Sequence, residues 1–180
     1  MIKKLHHAAY RCRDSEETRR FYEDFLGLRL ASTLEITESM TGRKTRTLHT
    51  FYELGDGSCL AFFEAPDMPF EFKRQRDYDL HIALEVDEPI LKSMLAKGKE
   101  RGIETRGISD HGFVHSIYFR DPNGYVIELA AKMAGHDQAM DPATNGARAP
   151  GRRGELPSLA LNSEHDRRQD FFFEPGREVG

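Results

Sequence analysis

The chain has 180 residues, enough for one or two small domains with an ordinary hydrophobic core. A formal net charge of −4 and a pI near 6.1 leave no overall basic character of the kind that nucleic acid binding requires. No apolar run is long enough to cross a bilayer, the first residues lack a signal-peptide apolar region, and the two cysteines show neither CxxC spacing nor a disulfide pattern. We therefore expect a cytoplasmic protein without nucleic acid or membrane partners.

The first part of the chain predicts a strand, a helix and three further strands. The strand covers residues 5–13, and the helix begins after Asp14 with an acidic first turn and ends at Gly27. This first module spans about residues 1–66 and is followed by a linker over 67–78. Its three later strands are predicted over residues 28–36, 45–54 and 58–64.

The same order of elements returns in the second part. A strand over residues 80–86 precedes a helix that begins near Pro89 and ends at Gly102. A strand over residues 105–109 and a terminal hairpin complete a second module, of about residues 79–132. The sequence thus predicts two copies of one βαβββ unit.

Two histidines hold the same position in the two copies. His7 lies seven residues before Asp14, and His81 lies seven residues before Glu88, each before a predicted helix start. Because side chains alternate across a strand, His6 and His7 are expected on opposite faces, and only His7 shares the register of His81.

The terminal hairpin carries a carboxylate in an apolar strand. The turn Asp121-Pro122-Asn123-Gly124 separates two aromatic and β-branched runs, over residues 114–119 and 125–129. Glu128 interrupts the second run, where a carboxylate needs a partner or a metal if it is buried. A Glu on the solvated face of an edge strand is the alternative interpretation.

Two imidazoles and one carboxylate in matched register favour a metal site made of His7, His81 and Glu128. This composition, with coordination positions left open, is typical of non-haem Fe(II), and Mn and Zn also accept it. The position in the first copy that corresponds to Glu128 is Ala61, and Glu64, at an odd offset from it, is expected to face away.

The sequence resembles the vicinal-oxygen-chelate superfamily over residues 1–132. The motifs are His-x-Ala-x-x-x-x-Asp from His7, Arg-Phe-Tyr-x-x-Phe-Leu-Gly-Leu from Arg20, His-Ile-Ala-Leu-x-Val from His81, and Tyr-Phe-x-Asp-Pro-Asn-Gly-Tyr-x-Ile-Glu from Tyr118. Glyoxalase I, extradiol dioxygenases, fosfomycin-resistance thiol transferases and bleomycin-binding proteins belong to that superfamily. The resemblance implies an α+β fold in which two paired βαβββ modules form a half-open β-sheet cavity around a metal.

The resemblance also assigns roles to residues. It places His7, His81 and Glu128 on metal-ligand positions, whereas the acid that glyoxalase I supplies as a fourth ligand is replaced by Ala61. Extradiol dioxygenases carry a Tyr ten residues before the Glu ligand, which matches Tyr118. They also use a histidine as acid–base, for which the candidates are His111 and His115, with His49 as a further possibility.

The function expected from this pattern is Fe(II)-dependent cleavage of a catechol-like small molecule with dioxygen, in a homodimer. Mn, Zn or Ni are alternative metals. A glyoxalase-like isomerase, with Glu64 or water as fourth ligand, and a thiol transferase are alternatives within the same fold. A small-molecule sequestering protein and a metal-free dimerisation module are alternatives of other classes.

The chain beyond residue 132 changes in composition. Residues 133–180 are rich in Pro, Gly and charge, lack hydrophobic periodicity, and are expected to be mostly disordered. Two apolar segments interrupt this tail, over residues 156–161 and 171–173, and we expect them to dock on the body or on a second subunit.

Overall fold

The computed structural model of the protein describes residues 1–145. The described chain forms two compact units. Unit 1 comprises Met1–Arg74 together with Asp121–Tyr125, and unit 2 comprises Gln75–Arg120 and the described residues from Val126 onward. The turn of the terminal hairpin therefore belongs to unit 1, whereas the strands on either side of it belong to unit 2.

Each unit carries a four-stranded sheet and a helix, which confirms the predicted α+β fold with two βαβββ copies. The strand orders are β1-β4-β3-β2 and β5-β8-β7-β6, and in each sheet the first pair is parallel and the others are antiparallel. The strands are β1 (His7–Cys12), β2 (Arg29–Glu38), β3 (Lys44–Glu53), β4 (Cys59–Glu64), β5 (His81–Glu85), β6 (Thr105–Asp110), β7 (Val114–Arg120) and β8 (Val126–Lys132).

The first helix begins and ends where the sequence predicts. Asp14 accepts a hydrogen bond from the Glu17 amide and caps α1 (Ser15–Arg19), which continues directly as a π-helical segment over Arg20–Phe25. Gly27 follows this segment with a φ of 85°, a left-handed conformation that glycine adopts without strain. The buried ring of Tyr22 packs 4.6 Å from the Phe62 ring of β4, which attaches the helix to one face of the first sheet.

The second helix, α2 (Glu88–Glu100), covers one face of the second sheet. It buries Leu91, Met94 and Gly98. A Cβ added at Gly98 would lie 2.6 Å from Cε1 of Phe119, so the absence of a side chain lets the helix approach β7 closely. The sheet residues buried on this face are Ile82, Ile117, Phe119, Ile127 and Leu129.

The turn between β7 and β8 is anchored by a buried carboxylate. Asp121 accepts hydrogen bonds from the backbone amides of Asn123 and Tyr125, from the Asn123 side chain, and from the Tyr22 hydroxyl. Asn123 in turn accepts a hydrogen bond from the backbone amide of Arg13. The predicted Asp-Pro-Asn-Gly turn is therefore confirmed, and the side chains of Asp121 and Asn123 stabilise it through these hydrogen bonds.

Two short helices, α3 (His136–Ala139) and α4 (Pro142–Asn145), follow β8. They occupy the first residues of the predicted tail, over 133–145, while the remainder and its two apolar segments lie outside the described residues. Within the described range, no helix combines the length and the apolar character needed to span a membrane.

Candidate metal centre

The two histidines occupy equivalent places in the two sheets. His7 is the first residue of β1, and His81 is the first residue of β5. Two residues further along each strand, the parallel partner strand carries Ala61 in unit 1 and Glu128 in unit 2. The predicted correspondence between Ala61 and Glu128 is confirmed by this register.

In unit 2, His81 and Glu128 meet on the sheet face that α2 leaves uncovered. His81 Nε2 lies 3.2 Å from Glu128 Oε2, with the histidine side chain 43% exposed and the glutamate side chain 10% exposed. His81 Nδ1 donates a hydrogen bond to the carbonyl oxygen of Asp77 at 2.7 Å, because a carbonyl can only accept. The Ser116 hydroxyl donates to Glu128 Oε1 at 2.5 Å.

These contacts suit a divalent cation. With Nδ1 protonated, a neutral His81 directs the Nε2 lone pair toward Glu128 Oε2. Both atoms are then hydrogen-bond acceptors, and two acceptors lie stably together only around a shared proton or cation. Two ligand atoms bonded to one metal at about 2.1 Å, with an angle near 90°, lie roughly 3 Å apart. The observed 3.2 Å separation fits that geometry. The bonds from Asp77 and Ser116 are of the kind that orient metal ligands.

Tyr118 and His111 lie beside this pair. Tyr118 is directly opposite Glu128 in the β7–β8 pairing, so both side chains leave the sheet on one face. Its hydroxyl lies 2.9 Å from His111 Nε2, and the Arg106 guanidinium stacks 4.3 Å from the ring centroid. Burial, and then the negative charge of Glu128, raise the pKa of Tyr118 above its usual value, which keeps the phenol protonated.

His115 lies on the other face of the same sheet. It is three residues from Tyr118 on β7, an odd offset that points its side chain toward the α2 side. Its ring nitrogens lie 3.7 Å from carboxylate oxygens of Glu88, at the start of α2, and of Asp110. Of the two predicted acid–base candidates, the structure therefore brings only His111 to Tyr118.

His7 is exposed at the start of the first sheet. Its Nδ1 lies 2.7 Å from Nδ1 of His6, so the two imidazoles converge instead of pointing to opposite faces. The expected alternation fails because β1 begins at His7 and His6 precedes it. The His7 ring also lies 5.6 Å from Phe51 and 6.4 Å from His49, whose Nδ1 donates to the carbonyl of Phe62.

Glu64 is committed to the opposite face of the first sheet. It accepts a hydrogen bond at 2.7 Å from the backbone amide of Ser15, the first residue of α1. Ala61, on the face of His7, is fully buried. The expectation that Glu64 faces away from Ala61 is confirmed, and Glu64 is not placed to act as a fourth ligand beside His7.

Within residues 1–145, no three His, Cys, Asp or Glu side chains gather into a group that could hold a metal ion. Of the predicted ligands, His81 and Glu128 are brought together in unit 2, while His7 lies in unit 1. The structure thus presents two of the three predicted ligands as a pair within unit 2.

A cavity of about 730 Å³ lies in unit 1, on the sheet face that carries His7. Its wall includes Arg11, two positions beyond Ala9 on that face, and Phe63, whose ring stacks on His49 with centroids 3.6 Å apart. The remaining lining residues are Ile36, Glu38, Ser39, Met40, Arg43, Thr45, Thr47, Ala65 and Met68. The cavity is large enough for a small organic molecule.

Sequence patterns did not point to Asp77 or Ser116. Asp77 falls in the predicted linker, and its contact with His81 depends on the turn that precedes β5. Ser116 could have been found, because a hairpin closed at 121–124 pairs Tyr118 with Glu128 and places Ser116 on the same face.

Comparison with known proteins finds a matching family and similar folds. The model of the Glyoxalase/Bleomycin resistance protein/Dioxygenase superfamily matches residues 4–129. The chain is similar to the fosfomycin resistance protein FosX from Mesorhizobium loti (24% identity, TM-score 0.57, covering 77% of this chain and 99% of that chain). It is also similar to a mutant FosX from Listeria monocytogenes complexed with Mn(II) and dihydroxypropylphosphonic acid (20%, 0.56, 76% and 98%) and to the antibiotic-binding protein TnmS3 from Streptomyces (22%, 0.54, 73% and 98%).

Proposed function

Since the chain belongs to the Glyoxalase/Bleomycin resistance protein/Dioxygenase superfamily, we propose that it is a divalent-metal-dependent enzyme whose substrate binds the metal through two adjacent oxygens. The resemblance seen in the sequence is confirmed at the level of the family. The observation that supports the enzyme proposal is the His81–Glu128 pair, with its oriented imidazole and its buried carboxylate, beside the Tyr118–His111 pair.

The proposed ligands are His81 Nε2, Glu128 Oε2 and His7. Nε2 of His7 has no hydrogen-bond partner among the described residues, so this atom is available to a cation. Two imidazoles and one carboxylate favour Fe(II), with Mn(II), Zn(II) or Ni(II) as alternatives, and the FosX structure from Listeria holds Mn(II). When bound, the metal would supply Lewis acidity and a template for the substrate oxygens. We propose that the protein is a homodimer. The His7 ligand of each metal centre then comes either from the chain that supplies His81 and Glu128 or from the partner chain.

We propose extradiol cleavage of a catechol-like substrate by dioxygen as the reaction. A proton would leave a substrate hydroxyl for the Tyr118 oxygen, while Tyr118 passes its own proton to Nε2 of His111. An imidazole suits this role because it titrates near working pH. The raised pKa of Tyr118 favours such a relay over a standing phenolate.

An aromatic surface in unit 1 supports the proposal that the substrate is planar. Phe51, Phe63 and His49 lie on the same sheet face as His7, and His49 stacks on Phe63 with ring planes 7° apart. The adjoining cavity of about 730 Å³ offers room for substituents. Phe62, in contrast, is buried against Tyr22 on the opposite face of this sheet.

Mn(II)-dependent conversion of fosfomycin or a related phosphonate is the second candidate. It is favoured by the likeness to FosX structures over three quarters of the chain, one of them with Mn(II) and a dihydroxypropylphosphonic acid. It would use the same ligand pair, but neither Fe(II) nor dioxygen.

The test is to load the protein anaerobically with Fe(II) or Mn(II) and to offer each form a substrate. With a panel of catechols and oxygen, the Fe(II) form should give yellow ring-cleavage products and matching oxygen uptake. Turnover of fosfomycin by the Mn(II) form, followed by phosphorus NMR, would decide for the second candidate. The Glu128→Gln variant is the control and should be inactive in both assays. A protein that binds neither metal overturns the enzyme proposal.

A further inference from the structure

Asp77 contacts both parts of the candidate centre in unit 2. Its carbonyl oxygen accepts the hydrogen bond from Nδ1 of the metal-ligand candidate His81. Its carboxylate forms an ion pair with Arg106 through Oδ2. The Arg106 guanidinium in turn stacks on the ring of Tyr118, whose hydroxyl lies at hydrogen-bond distance from His111. Asp77, which lies outside the sheet, thus contacts His81 directly and Tyr118 through Arg106, and both of these residues lie on the same sheet face.

The Asp77–Arg106 ion pair is largely withdrawn from water, with side chains 10% and 17% exposed, and this desolvation opposes folding. Asp77 is 8% exposed, and its second carboxylate oxygen, Oδ1, has no hydrogen-bond partner among residues 1–145. A buried ion pair is often no better for stability than apolar residues of similar size, and an unpartnered carboxylate oxygen adds a desolvation penalty. Since the Asp77–Arg106 ion pair is not favoured by stability, a role in positioning neighbouring side chains accounts for it.

The position of Arg106 determines what its charge does. Arg106, Tyr118 and Glu128 lie opposite one another across β6, β7 and β8, so the backbones of Arg106 and Glu128 are roughly 10 Å apart at the spacing of neighbouring strands. A guanidinium stacked on the Tyr118 ring, next to Glu128 in the sheet, repels a divalent cation bound by Glu128 unless a carboxylate offsets its charge. Asp77 supplies that carboxylate.

We infer that Asp77 is a positioning residue, which holds Arg106 against Tyr118 and neutralises its charge next to the metal ligands. Its carbonyl at the same time keeps His81 in the tautomer that presents Nε2. The catalytic significance of this inference rests on the proposed function. The packing of Tyr118, however, can be measured without any reaction.

The experiment compares Asp77→Asn with Asp79→Asn. Both variants remove one negative charge from the same turn and leave the backbone carbonyl in place, but Asp79 is exposed and pairs with Arg76. The affinity for Mn(II) is measured by calorimetry. The Tyr118 contribution to near-UV circular dichroism is obtained by difference from Tyr118→Phe, since the chain has no tryptophan to obscure it.

We expect Asp77→Asn to weaken Mn(II) binding by about tenfold, the effect of one added net positive charge near the site. It should also reduce the Tyr118 signal to the level of Arg106→Met, while Asp79→Asn matches the parent in both measurements. The double variant Asp77→Asn/Arg106→Met should regain the metal affinity, because the cation is gone, but not the Tyr118 signal.

Three results would overturn the inference: an Asp77→Asn variant that behaves as Asp79→Asn does, a double variant that keeps the Tyr118 signal, or one that does not regain the affinity. If Asp77→Asn does not fold, the double variant, which also lacks the Arg106 charge, still tests the inference through its metal affinity and its Tyr118 signal. If the parent binds neither Mn(II) nor Fe(II), the proposed function fails, and the Tyr118 signal alone tests the role of Asp77.

Discussion

Tyr118 and Glu128 lie directly opposite each other in the β7–β8 pairing, so the phenol and the carboxylate leave the sheet on one face. The hairpin that joins them is closed by the Asp121 turn, which is held by four hydrogen bonds to its carboxylate. Two side chains on paired strands have little freedom to move apart. The proposed proton-transferring residue and the proposed metal ligand are thereby kept adjacent by backbone pairing.

Removal of the proposed carboxylate ligand should abolish tight metal binding. Glu128→Gln keeps the shape and the hydrogen bond from Ser116 but loses the negative charge. We expect the affinity for Mn(II) to fall by more than about 100-fold, beyond the range seen when an outer-shell group is lost. Glu85→Gln, at an exposed position paired with Lys132, is the matched control and should bind as the parent does. Equal affinities of the two variants, measured by calorimetry, would exclude Glu128 as a ligand.

The two histidines of the β6–β7 region should differ in their effect on catalysis. His111→Gln removes the partner of Tyr118 and should lower kcat by about 100-fold or more, the usual contribution of a positioned acid–base group. His115→Gln changes the same residue type on the opposite face and should leave kcat within about twofold of the parent. The measurement is steady-state turnover of whichever substrate the loaded protein accepts. A larger loss in His115→Gln would place the proton transfer elsewhere.

The origin of the third ligand can be tested by mixing variants. His7→Ala and Glu128→Ala are each expected to be inactive. If each centre combines His7 of one subunit with Glu128 of another, a mixed dimer contains one intact site, and unfolding and refolding the two variants together should restore activity. If each centre lies within one chain, the mixture should stay inactive. Refolding each variant with parent protein provides the control for recovery.

Tyr22 should contribute to stability in a pH-dependent manner. Tyr22→Phe removes a hydrogen bond to buried Asp121, and we expect a loss of about 1–3 kcal/mol in the free energy of unfolding. Burial raises the pKa of Tyr22 well above its usual value, so its folded form resists deprotonation. The stability this provides is complete below about pH 10, the pKa of an unfolded tyrosine, and is lost as the pH rises further.

Denaturant titrations across alkaline pH test this sign. Above about pH 10, the Tyr22→Phe variant should lose stability less steeply than the parent, by about 1.4 kcal/mol per pH unit for one proton. Tyr78→Phe, at a position 75% exposed, is the control and should follow the parent curve. A Tyr22→Phe curve parallel to that of the parent would contradict a raised pKa.

The sequence by itself determined the elements, the repeat and the register of the two copies. These features depend on local rules: apolar periodicity marks strands and helices, Gly27 and Gly102 end helices, and the Asp121 turn sets the pairing of its hairpin. Counting along a strand was therefore enough to relate Glu128 to Ala61. It also predicted that Glu64 faces away from Ala61, as the pairing of β1 with β4 confirms. It failed for His6, because alternation applies only within a strand and β1 starts one residue later.

Only the tertiary structure decided which polar groups meet. His111 and His115 are equivalent in the sequence, but a loop carries His111 to Tyr118 while the pleat turns His115 toward α2. Asp77 lies in a segment without periodicity, so nothing local indicates that it binds both His81 and Arg106. Such contacts join residues that are distant in the chain or lie in irregular turns, where the path of the backbone, and not a repeating pattern, sets the direction of each side chain.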